Sequence, residues 1–93
     1  MKLGYEGATV DDAVATDTAD NYDRRSKSAD AHDTEAIDAM IAAGSVFVVD
    51  KGTRVRVIDQ DVWHSRIQVR FLSGSRDKET AWMGFEAVDG KYP

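Results

Sequence analysis

The spacing of hydrophobic residues changes once along this chain. From Ser45 onward apolar side chains recur at every second position, the period of a half-buried strand. Val46-Phe47-Val48-Val49 reads as a first strand and Asp50-Lys51-Gly52 as a turn. Over residues 53–58, Val55 and Val57 point one way while Arg54 and Arg56 point the other. Residues 59–64 lose the alternation and read as a loop. Over residues 65–71, Ile67, Val69 and Phe71 alternate with Arg66, Gln68 and Arg70. A polar hairpin loop at 73–78 leads to a return strand at 79–83, and Gly84-Phe85-Glu86 forms a tight turn before a short strand at Ala87-Val88. Five strands this short are expected to close into a small barrel, which leaves no exposed edge.

Before Ser45 the period is helical. Tyr22, Ser26 and Ala29 line one stripe over residues 18–31, with Arg24, Arg25 and Lys27 set among Asp20, Asp23 and Asp30. A second helix has Asp33 or Thr34 as N-cap, Glu35 in the first turn, Ile37, Met40 and Ile41 on one face and Gly44 as the C-terminal glycine. The chain reverses near Ala31-His32-Asp33. Residues 1–17 show no sustained period and two glycines, and read as a partly disordered arm that packs through Leu3 or Tyr5, with Asp11-Asp12 capping a turn. The expected fold class is α+β: an arm (1–17), an N-terminal helical hairpin (18–44), and a C-terminal five-stranded β-barrel (45–93) on which the hairpin packs.

Two motifs in the second half carry a resemblance. Lys51-Gly52-Thr53-x-Val55-x-Val57, and Ala81-Trp82-Met83 standing where Gly-Trp-Val is usual, resemble bacterial SH3-like domains. Gly84 replaces the proline common after that second motif. The resemblance covers residues 45–89, about half the chain. It implies an SH3-like barrel and a binding role, and specifies no activity.

Charge is unevenly placed. The net −5 divides into ten acidic and four basic residues over 1–44, and seven acidic and eight basic ones over 45–93. The acidity thus belongs to the N-terminal part, and an acidic total argues against a dedicated nucleic-acid binder. Thirteen of the seventeen acids are Asp, which suits caps and turns. The absence of cysteine excludes disulfides and thiolate chemistry. No apolar run reaches signal-peptide or membrane-span length, so a soluble cytoplasmic protein is expected.

Candidate chemistry is sparse. His32 and His64 stand alone, with no His at ligand spacing, and Asp59-x-Asp61 lacks the further ligands and glycine of a calcium loop. Ser73-Gly74-Ser75 is not a nucleophile elbow, and no phosphate-cradling glycine loop is present. No catalytic residue, metal or cofactor is assigned. The outward strand residues offer more. Arg54, Arg56 and Arg70 with Trp82 form one binding face, and Trp63 and His64 with Phe85 and Tyr92 form a second aromatic group. The expected function is non-catalytic recognition of a protein or peptide; the alternative is a nucleic-acid or ribosome-associated module that sets the arginines on phosphates and stacks Trp82. The opposite charges of hairpin and strand face leave two arrangements open. Either the hairpin docks in cis on the arginine face, giving a monomer, or Ile37, Met40 and Ile41 find a second copy, giving a homodimer.

Overall fold

The computed structural model describes residues 3–11 and 13–89. The elements run β1 (Glu6–Thr9), β2 (Ala13–Thr16), α1 (Ala19–Asp30), α2 (Thr34–Ala42), β3 (Val46–Val49), β4 (Arg54–Asp61), β5 (Arg66–Phe71), β6 (Thr80–Gly84) and β7 (Val88–Asp89). Single 3-10 turns at Val62–His64 and Phe85–Ala87 precede β5 and β7. The strands form one sheet in the order β3-β2-β6-β5-β4-β1-β7, antiparallel throughout, with β3 and β7 as its edges.

This corrects the expected architecture in two ways. The helical hairpin is not N-terminal, because two strands precede it and it is inserted between β2 and β3. The sheet is not a closed five-stranded barrel, because seven strands take part and its two edge strands do not pair. The segment read as an arm supplies the difference. Its strands carry small residues: Ala13, Ala15 and Thr16 are all buried, on both faces of β2. With both faces covered there is no polar alternation to read. Asp12 and Tyr92, to which the sequence assigned a turn and a place in an aromatic group, lie outside the described residues.

β1 with β4 and β2 with β3 share a single register. Glu6 lies opposite Arg56, and seven residues further along one strand and back along the other Ala13 lies opposite Val49. The two pairings are halves of one long antiparallel ribbon, bent near its middle. Thr9 holds the bend. Its buried hydroxyl donates to the Asp50 carbonyl at 2.6 Å and accepts from the Thr53 amide at 3.0 Å, while its carbonyl accepts from the Gly52 amide at 2.8 Å. Gly52 turns the corner at φ +81°, a conformation that a side chain resists.

The core is made by the sheet and the turn before β7, without the helices. Val55, Val57, Ile67, Val69, Ala81 and Met83 are fully buried and Phe71 is 1% exposed, in one cluster with Ala13, Ala15, Val49, Ala87 and Val88. Burial of each large side chain stabilises the fold by about 1.5–3 kcal/mol. Of these, Val55, Val57, Ile67, Val69 and Phe71 are the inward positions that the alternation marks. The helices cover part of the opposite face, over β2, β3 and β6, where Met40, Val46 and Thr16 are buried. Their limits follow the caps. The Thr18 hydroxyl accepts from the Asn21 amide and the Asp33 carboxylate from the Ala36 amide, each at 3.1 Å. Gly44, at φ +77°, ends α2, its amide donating to the Ile41 carbonyl while the Ser45 amide donates to that of Met40.

Candidate binding surface

β4 continues beyond the expected strand to Asp61, with a register shift between Val57 and Asp59, so the first half of the segment read as a loop is strand. Only Val62-Trp63-His64 leaves the ladder, as a single 3-10 turn closed by Ser65 at φ +52°. The turn is pinned from within. The Asp61 carboxylate accepts from the His64 amide at 3.3 Å and from the His64 ring Nδ1 at 2.8 Å. An ionised carboxylate only accepts, so the proton sits on Nδ1.

Asp61 is held in turn by Arg66, whose Nη2 lies 2.9 Å from Asp61 Oδ2. The Arg66 Nη1 donates to Asp23 Oδ1 at 2.5 Å and to the Ala19 carbonyl at 3.2 Å, both on α1. One largely buried guanidinium therefore ties the tip, the sheet and the first helix together, and it also lies 5.3 Å above the Trp82 ring. Desolvation works to raise the pKa of Asp61, but the His64 hydrogen bond and the charges of His64 and Arg66 outweigh it and hold the carboxyl below its usual range. For Arg66 desolvation pulls downward, and the bonds to Asp23 and Asp61 win.

This braced tip presents an indole to water. Trp63 is 94% exposed and its neighbour Val62 64% exposed. Beside them an open groove of about 380 Å³ runs between α1 and the tip, lined by Tyr22, Asp23, Ser26, Lys27 and His64. Burial raises the pKa of Tyr22, with a smaller push from Glu86.

The other sequence-marked residues separate into two sets. Arg54, Arg56 and Arg70 stay together and exposed on β4 and β5, with Arg56 directly opposite Arg70. Glu6 on β1 meets the first two, at 3.4 Å from Arg54 and 2.7 Å from Arg56, and the Arg56 hydrogen bond lowers its pKa. Arg70 has no ion-pair partner among the described residues. Trp82 shares their face of the sheet, opposite Gln68, but is not open with them, and Phe85 leaves that face. Trp82 is half-buried beneath Arg66 in a strand that α1 contacts, and Phe85 packs against the core. Sequence reasoning missed Val62, the groove residues on α1 and the bracing role of Arg66. Val62-Trp63, two large apolar residues in succession where alternation stops, is the signal that marked the tip.

Among the described residues, no group of three or more His, Cys, Asp or Glu is placed to hold a metal ion, and no helix is long and apolar enough to cross a membrane. No family model, curated protein or solved structure matches the chain.

Proposed function

We propose that this chain is a recognition module rather than an enzyme, and that it binds a protein partner through the β4–β5 tip with Trp63 as anchor. The observation that carries this reading is the 94% exposure of Trp63 on a turn whose ends are fixed by Asp61 and Arg66. A rigid aromatic side chain loses little conformational freedom on docking, and a buried indole anchor contributes on the order of 2–4 kcal/mol to binding. The groove beside it accommodates a segment of the partner, with Lys27, Asp23 and His64 as polar contacts. The test is capture by immobilised wild type and Trp63→Ala in parallel, each first shown to unfold at the same denaturant concentration. A partner retained by wild type and lost by the variant supports the reading. Equal capture by the two proteins overturns it.

A second reading rests on the arginine face. Like charges directly opposite on neighbouring strands destabilise a sheet, by roughly 0.2–1 kcal/mol. Arg56 and Arg70 stand in that relation with one carboxylate, Glu6, on the first of them. An anionic ligand such as a nucleic-acid backbone offsets the repulsion. This reading predicts RNA or DNA binding that weakens steeply with salt and falls in Arg70→Gln; no retention on nucleic acid at low salt removes it.

A further inference from the structure

The two edges of the sheet are finished differently. One ends in β7, two residues long and closing with Asp89. The other is β3, four consecutive apolar residues without proline, charge or bulge. Monomeric sheets protect an edge with just those devices. The Asp17 amide donates to the Ser45 carbonyl, which sets the alternation along the β2–β3 ladder: Phe47 and Val49 direct their amides and carbonyls at β2, Val46 and Val48 away from it. Among the described residues nothing accepts or donates at those outward groups.

The side chains along the same edge are as unfinished. α2 leaves Ile41 52% exposed and Val48 is 68% exposed. They border a groove of about 190 Å³ that Val14, Ile37 and Val46 also line, with Arg25 as its one charged residue. On the other side of β3, Arg76 lies 3.6 Å above the Phe47 ring and covers it, so the open surface is the backbone edge and its helix-facing side.

We infer that this edge pairs with its own counterpart in a second copy of the chain, joining two sheets across a two-fold axis. An antiparallel strand pair satisfies that symmetry, since residue i meets residue j and j meets i. Centring the axis on Phe47 sets Val46 of each copy against Val48 of the other as hydrogen-bonded pairs, using all four outward groups of both strands. The same register places Asp50 against Gly44, so the acidic residues at the strand ends do not face each other and no side chain opposes them. The axis is perpendicular to the sheet and keeps both helix layers on one side. Ile41 and Val48 of one copy then close over those of the other, apolar on apolar. A four-residue edge and one helix end form an interface at the low end of the specific range, below about 1,200 Å² in total. Association is accordingly weak and reversible.

Sedimentation of the full chain across a concentration series up to millimolar is the test, with Val48→Lys and Ile41→Asp as variants and Trp63→Ala as control. The expected result is a monomer–dimer equilibrium in wild type and in Trp63→Ala, weakened at least tenfold in both Val48→Lys and Ile41→Asp while their denaturation midpoints stay near wild type. Hydrogen exchange reads the edge itself: the amides of Val46 and Val48 slow as concentration rises. A wild type that stays monomeric throughout overturns the inference. So does a dimer that survives Val48→Lys, one abolished by Trp63→Ala, or exchange at Val46 and Val48 that ignores concentration.

Discussion

Replacing Arg66 by Ala removes the single side chain shared by the tip, the sheet and α1, and the structure sets the size of the loss. The contact to Asp61 joins side chains 12% and 24% exposed, and a charge-assisted hydrogen bond so placed is worth about 1.5 kcal/mol. The contact to Asp23 ends on a carboxylate 40% exposed, where solvent screening reduces it to about 0.5 kcal/mol. Lying 5.3 Å over Trp82 adds roughly 0.5–1 kcal/mol. One guanidinium serves all three, so they do not add fully, and a loss of about 2–3 kcal/mol is expected. That is a large share of the roughly 5–14 kcal/mol available to a chain of 93 residues. Urea denaturation followed by Trp82 emission in a Trp63→Phe background measures it, since Trp63, 94% exposed, has an environment that changes little on unfolding. Amide exchange over α1 accelerates in the same variant. A loss below about 1 kcal/mol, or unchanged exchange in α1, refutes the claim that Arg66 braces the helix layer.

Four further outcomes follow from the same coordinates. Trp63→Ala changes stability by less than about 0.5 kcal/mol, because its indole touches little, and equilibrium unfolding checks this. Met83→Ala removes a fully buried side chain from an interior strand of the sheet and costs about 2–5 kcal/mol, measured the same way. Gly52→Ala forces a side chain into φ +81° at the bend and lowers stability by about 1 kcal/mol, although open space surrounds the position. Asp61 has a depressed pKa in the folded chain, so its contribution is present above the unfolded value of about 3.9 and is lost as pH falls through the lower folded value. Acid titration by NMR should loosen the Val62–His64 turn in that window, and Asp61→Asn should remove the transition.

β4 and β5 were legible because one face of each is largely wet. Arg54, Arg56, Gln68 and Arg70 alternate with Val55, Val57, Val69 and Phe71, and the structure buries the apolar set. Asp33 and Gly44 likewise marked the ends of α2 through chemistry local to each position. β1 and β2 were not legible for the opposite reason. The residues of β2 are small and covered on both faces, and the partners of the two strands lie between 30 and 81 residues away, beyond any local pattern. At the surface, Trp63 and His64 could be assigned to one exposed group from sequence. That Trp82 would sit under Arg66 and α1 could not, because it depends on where an inserted hairpin lands.

The bent ribbon also sets an order of events during synthesis. Residues 6–16 leave the ribosome well before their strand partners, which among the described residues all lie at or beyond Val46. They must wait as unpaired chain until the ribbon's other strand emerges, while α1 and α2, whose contacts are local, are free to form. The hairpin shortens the path between the two strands, because two ordered helices close the loop at less entropic cost than the same length of coil. Thr9 and Thr53, which meet at the bend, are thus a late contact joining segments made at different times.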